Sequence, residues 1–272
     1  VSLWLVSPAT QAADEQRFFA STRQYLTDEH GFLSYWQTNQ GAVLLGAPVT
    51  ATLTEHGLPV QYFERGRLEA HLGTEDAPPT IMRGRIGAEY ARKLWLRFEA
   101  ALPQPSTADT RVFELTGHTL RAPFLRFWEQ HDGLATFGYP ISEPRWEYVG
   151  MQMLQVQYFE RGRLEHHPLA SGTPDEMQIS PLGRDLALLH NYDTSPQAYD
   201  GTTPIMAADL SGIVSAEALE PAAPEPTAEP TAEPTAEPTA EPVVSSVAPV
   251  PAAPAPTAVP APTAAPAPVA PA

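Results

Sequence analysis

The 272-residue chain has no cysteine, which excludes disulfides and thiolate metal sites. It has no Lys or Arg after Arg184, whereas eleven of its 32 acidic residues lie from Asp185 onward. The formal net charge of −16 therefore belongs mostly to the C-terminal part, and residues 1–184 hold all 16 basic residues against 21 acids, a net of −5. So mild an acidity gives no electrostatic case for binding nucleic acid. No apolar run approaches the ~20 residues of a membrane span. Catalytic signatures are missing as well. His71, His118, His131, His166, His167 and His190 form no H-E-x-x-H or other ligand spacing, no G-x-S-x-G elbow occurs, and no glycine loop is built to cradle phosphate. The sequence offers no metal set and no cofactor site, and it reads as non-enzymatic.

What is present is organised by composition and by repetition. Residues 1–13 resemble the truncated end of a secretory leader: an apolar run from Val1 to Val6, the breaker Pro8, then the small residues Ala9 to Ala13. From Glu217 to Ala272 the chain is built of Pro, Ala, Thr and Glu, with 16 of the 31 prolines from Pro221 onward. Proline removes backbone donors, and its neighbours here offer little to bury. This tail is expected to be extended and without a packed core.

Between the ends, the decapeptide VQYFERGRLE occurs twice, at Val60–Glu69 and at Val156–Glu165. Upstream, Trp36, Gly41, Gly46 and Pro48 recur as Trp128, Gly133, Gly138 and Pro140 at an offset of 92. The decapeptide is offset by 96, so the second copy carries four extra residues within EPRWEYVGMQML. The chain is accordingly divided into a first repeat over 17–102, a second over 110–192, a transition segment over 193–216 and the tail over 217–272.

Each repeat is expected to be α+β: two tandem copies of a helix–turn–β-hairpin–helix unit. Phe32, Tyr35 and Trp36, like Phe124, Phe127 and Trp128, form one apolar helical stripe. Gly41 and Gly133 then serve as helix stops, and LGAP and FGYP as turns. The decapeptide reads as a hairpin with Arg65-Gly66 at its turn and Gly66 at positive φ. That register sets Phe63 opposite Leu68 on the core face. On the other face it sets Glu64 opposite Arg67, Tyr62 opposite Glu69 and Val60 opposite His71.

LLGAP and TFGYP, each followed by the QYFER hairpin, resemble the LGFP-type repeat of secreted, cell-wall-associated bacterial proteins. The wider pattern on Phe113, Thr116, Gly117, His118, Phe124, Phe127, Trp128, Phe137, Gly138, Pro140, Tyr158 to Arg161, Glu165 and Pro168 is similar to tandem modules of secreted bacterial proteins, some of which carry wall-modifying domains. The resemblance implies location at the cell surface and attachment to the wall.

Two kinds of site are weighed. Glu64 and Glu69, with Glu160 and Glu165, could form general acid/base pairs, but arginines across the hairpin favour a solvated, ion-paired face. Trp36, Trp128, Trp146, Tyr62, Tyr139 and Tyr158 could stack on sugars. Trp36 and Trp128 fall on the core stripe. Tyr62, Glu64, Arg67, Glu69 and His71, repeated as Tyr158, Glu160, Arg163, Glu165 and His167, are therefore the candidate ligand-binding residues. The expected function is a secreted, non-catalytic protein that binds or anchors to the cell envelope, with peptidoglycan, another envelope polymer or an exported partner as ligand. The alternative is an accessory region of a wall-modifying hydrolase or transpeptidase whose catalytic domain lies elsewhere.

Overall fold

The computed structural model describes residues 15–71, 73, 79–102, 104–210 and 213–214, all within the compact unit Val1–Ala222. The expected leader and the Pro-rich tail lie outside the described residues. The fold is α+β, with more sheet than helix. The first half runs through a hairpin of β1 (Gln16–Phe19) and β2 (Gln24–Thr27), then the short helices α1 (Phe32–Thr38) and α2 (Gly41–Leu44). An antiparallel sheet of β3 (Leu53–Glu55), β4 (Leu58–Tyr62), β5 (Arg67–His71) and β6 (Thr80–Arg83) follows, and α3 (Ile86–Lys93) ends the half. The second half has the same order: β7 (Thr110–Phe113), β8 (His118–Arg121), α4 (Phe124–Gln130), α5 (Gly133–Thr136), β9 (Arg145–Val149), β10 (Gln152–Phe159), β11 (Gly162–His166), β12 (Met177–Ile179) and α6 (Leu182–Leu189). Each half is thus larger than one hairpin between helices. The decapeptide forms the two central strands of a four-stranded sheet, in the orders β3-β4-β5-β6 and β12-β11-β10-β9. No helix among the described residues is long and apolar enough to cross a membrane.

The chain then returns to the first half. Gln24 Nε2 donates to Ser195 O at 2.8 Å, Tyr25 stands between Ala198 O and Asp200 N, and Tyr199 packs on Phe18. β13 (Ile205–Met206) runs parallel to β1 and is followed by β14 (Ile213–Val214), giving a sheet of order β14-β13-β1-β2.

Local chemistry explains the short helices. Phe32, Leu33 and Trp36 of α1 are buried, as are Phe124, Leu125 and Trp128 of α4. Each indole N–H donates across the following turn, Trp36 Nε1 to Gly46 O at 2.9 Å and Trp128 Nε1 to Gly138 O at 3.1 Å. Gly46 and Gly138 take φ of +77° and +75°, which glycine adopts without Cβ strain. Gly41 and Gly133 act differently from the expected helix stops. The left-handed residues are their predecessors, Gln40 and Asp132, and the glycines let the indoles lie flat on the chain. A Cβ would sit 2.3 Å from Trp36 Cγ and 1.9 Å from Trp128 Cδ2.

The hairpin register differs from the expected one. Tyr62 pairs with Arg67, Gln61 with Leu68 and Val60 with Glu69; Tyr158 likewise pairs with Arg163 and Val156 with Glu165. The turn residues are Glu64-Arg65 and Glu160-Arg161, with Phe63 N donating to Gly66 O at 2.8 Å. Gly66 is present for space rather than for φ, because a Cβ there would meet Leu45 Cδ2 at 2.5 Å. Each cross-strand partner has moved by two residues, so the strand side chains keep their predicted faces while Glu64 and Glu160 pass into the turns.

The second face is where the structure departs furthest from the sequence reading. Instead of meeting solvent, it is covered by a helix from the opposite half. Leu182, Leu186 and Ala187 of α6 pack with Val60 and Tyr62 of β4, together with Ile86 of α3. In return, Gly87 of α3 lies against the second hairpin turn, where a Cβ would be 2.1 Å from Phe159 O. Gly183 of α6 lies against the first, 2.1 Å from Phe63 O. Backbone bonds fix both contacts, Ala88 N to Glu160 O and Arg184 N to Glu64 O, each 3.1 Å. The halves exchange their closing helices.

Candidate functional site

The ten residues proposed from sequence fall into two groups. The first group lies on the covered face, its tyrosines and arginines buried and His71 and His167 only half-buried at its margin. Tyr62 and Tyr158 have 0% and 1% exposure, so neither presents a ring to solvent. Arg67, in the strand beside Tyr62, donates to its hydroxyl at 2.8 Å and to three carboxylates: Glu55 at 3.0 Å, Glu69 at 2.6 Å and Glu89 of α3 at 3.0 Å. Glu69 also meets His71 Nε2 at 3.2 Å. Beyond Glu89 the network continues through His190 Nε2 at 2.8 Å, whose ring stacks on Tyr192.

The second half repeats this network with substitutions. Arg163 contacts Glu147 at 3.2 Å, Glu165 at 3.2 Å and the Tyr158 hydroxyl at 3.3 Å, and His167 Nε2 lies 3.2 Å from Glu165. Ser180 inserts its hydroxyl between arginine and carboxylate, accepting from Arg163 Nε at 2.7 Å and donating to Glu165 at 2.5 Å. The matching residue in the first half is Gly84, where a Cβ would be 2.6 Å from Glu69 Oε1. Both halves thus pair the ions directly, and the second adds a bridging hydroxyl. Burial pushes the tyrosine hydroxyls up in pKa, Tyr158 to about 12 and Tyr62 further, despite the adjacent guanidinium. Tyrosine in such a place stays protonated and donates its hydrogen bond to a carboxylate: Tyr62 to Glu55 at 2.7 Å and Tyr158 to Glu147 at 3.0 Å.

The second group comprises the turn residues Glu64 and Glu160. Glu64 pairs with Arg184 of α6 at 3.0 Å, and Glu160 with Arg85 at 2.6 Å, rather than with the predicted Arg67 and Arg163. They lock the exchanged helices. Sequence reasoning missed Glu55 and Glu147 as members of the arginine networks. Their signal was available, because they hold equivalent positions at the offset of 92.

The exposed chemistry lies elsewhere. The four residues that distinguish the second copy lengthen the β9–β10 hairpin by about two residues on each arm. Tyr148 sits opposite Met153 and Trp146 opposite Gln155, so Trp146, Tyr148 and Met153 share a face. Their exposures are 60%, 73% and 47%, and Met151 at the tip is 99% exposed. The neighbouring positions on the opposite face, Arg145 and Glu147, pair with one another at 2.9 Å. In the first half the corresponding hairpin turns early, at His56-Gly57.

A scan of the chain against protein-family models finds no match, and a comparison with curated proteins finds none either.

Proposed function

We propose that this protein is a secreted, non-catalytic binding protein of the cell envelope. It is built from two copies of one LGFP-like α+β module, and the aromatic face of the lengthened hairpin contacts glycan. The observation that carries the ligand reading is the cluster of Trp146, Tyr148 and Met153 on one exposed face. Large apolar side chains held in solvent by a short two-stranded ribbon contribute nothing to a core. An exposed Trp and Tyr on one face suit the apolar face of a pyranose ring, as they offer broad rings with a polar handle. The two-copy reading rests on the matched element order, the matched indole bonds and the reciprocal glycine contacts. A non-catalytic role accords with the arginine networks, in which Glu55, Glu69, Glu147 and Glu165 are held beneath packed helices. The leader-like start and the Pro-rich end support export, with the tail acting as a tether or spacer.

The test is cosedimentation with purified peptidoglycan. Trp146→Ala and Tyr148→Ala are each expected to weaken retention about fivefold, from the loss of about 1 kcal/mol of ring contact. The double variant should lose most of its binding while keeping the parent melting temperature. Equal retention of the folded double variant and the parent removes this face from the binding site.

A further inference from the structure

A cleft of about 890 Å³ opens where the first hairpin turn faces the second half, along the free edge of one sheet. One wall is β12, the edge strand of its sheet, and all three of its residues line the cleft. The inner edge of β12 pairs with β11, and the flanking bonds are His167 N to Glu176 O at 2.8 Å and Ser180 N to Arg163 O at 2.9 Å. Antiparallel pairing alternates, so these bonds commit the even-numbered positions to β11. The N–H and C=O groups of Met177 and Ile179 turn outward. An open edge of this kind is a template for an added strand.

The cleft also presents arginine side chains. Arg65 reaches from the first hairpin turn, and its guanidinium donates to the carbonyls of Ala42 and Val43, at 3.3 and 3.5 Å. Arg126 projects from α4 and is exposed. Among the described residues neither forms a salt bridge, whereas Arg184 on the same wall is engaged by Glu64. The acids on the rim are Glu64, already paired with Arg184, and Asp175 and Glu176; Glu176 is held by Gly172 N at 2.9 Å and His166 at 3.6 Å and also feels the charge of Arg126. Phe127 supplies an apolar surface beside them.

We propose that this cleft binds an extended acidic peptide, which adds a strand to β12 through Met177 and Ile179 and places carboxylate side chains at Arg65 and Arg126. The period of two in a strand lets alternate side chains meet the arginines while the others turn toward Phe127 or solvent. The site is separate from the aromatic hairpin and does not depend on glycan binding.

The probe is a blocked peptide of alternating Val and Glu, titrated calorimetrically into the full chain. Three controls accompany it: the same peptide with Gln for Glu, the same peptide N-methylated at alternate residues, and the Trp146→Ala protein. The Glu peptide is expected to bind about tenfold more tightly than the Gln and N-methylated forms, since charge-assisted bonds and backbone pairing are each lost in one of them. Arg65→Gln and Arg126→Gln should each weaken it about fivefold without changing the melting temperature. Trp146→Ala should leave it unchanged. Amide hydrogen exchange supplies the positional readout, with new protection at the N–H groups of Met177 and Ile179. Any of three results overturns the proposal: no binding at about 1 mM peptide, equal affinity for Glu and Gln peptides, or protection that does not include β12.

Discussion

Glu89 and Asp185 occupy the same place in the two halves, 96 residues apart, yet their carboxyls move in opposite directions. Burial pushes Glu89 up, but Arg67 and His190 at its two oxygens more than offset this, and its pKa ends below the usual carboxylate value. Asp185 is also raised by burial, and Arg163 and Arg184 do not compensate, so its pKa stays above that value. The consequences for stability have opposite signs. A depressed folded pKa adds stability at neutral pH that is lost as pH falls through it; a raised one makes the ionised form a cost at neutral pH, relieved as pH falls. Glu89→Gln should therefore lower the melting temperature at pH 7, and Asp185→Asn should raise it. Both differences should shrink in melts at progressively lower pH, that of Asp185 first, because its raised carboxyl protonates before the depressed one of Glu89. Arg67 tests the same network more severely. Its removal leaves Glu55, Glu69 and Glu89 without their shared cation, and Arg67→Ala should cost about 3–5 kcal/mol in urea denaturation, as for other broken buried pairs.

At the level of elements, the closing helices depend on two glycines. Alanine favours a helix interior over glycine by about 1 kcal/mol, so Gly183→Ala in isolation would stabilise α6. Here the added methyl would fall 2.1 Å from Phe63 O and 2.5 Å from Gly66 O, both backbone atoms that cannot turn aside. Overpacking should win, with a net loss of about 2–3 kcal/mol by thermal or urea melts, and Gly87→Ala should behave alike against Phe159 O. A gain in stability from either change would contradict the helix exchange. These contacts also mark the boundary of what sequence conveyed. The indole stripe and the Gly46 and Gly138 turns were legible because their causes are local: a period of 3.6 and a positive φ. The faces of the central strands were legible because strand alternation is local too. The covering of the second face was not. Val60, Tyr62, Arg67 and Glu69 read as a half-polar surface, and a helix more than a hundred residues away, beside Ile86 and Glu89 of α3, turns that surface inward. The exposed Trp146 was visible as a candidate, but its setting needed the longer ribbon. Neither half's pattern announces the open edge of β12.

For the whole molecule, the exchange means that a half is not an independent folding unit, although its sequence repeats. A chain cut within the linker near Gln104 should give two fragments that are each poorly structured alone, since each lacks the helix that covers its sheet. Mixed or co-expressed, they should associate and recover the parent circular dichroism, measured alongside size-exclusion chromatography. Independent cooperative melting of either fragment would contradict this. The same feature bears on how the protein is made. Strands β4 and β5 leave the ribosome roughly 120 residues ahead of α6, a delay of about 6–24 s at ~5–20 residues per second. Throughout that interval the first sheet has Tyr62 and the Arg67 carboxylates uncovered, so the half that is synthesised first is the last to be finished.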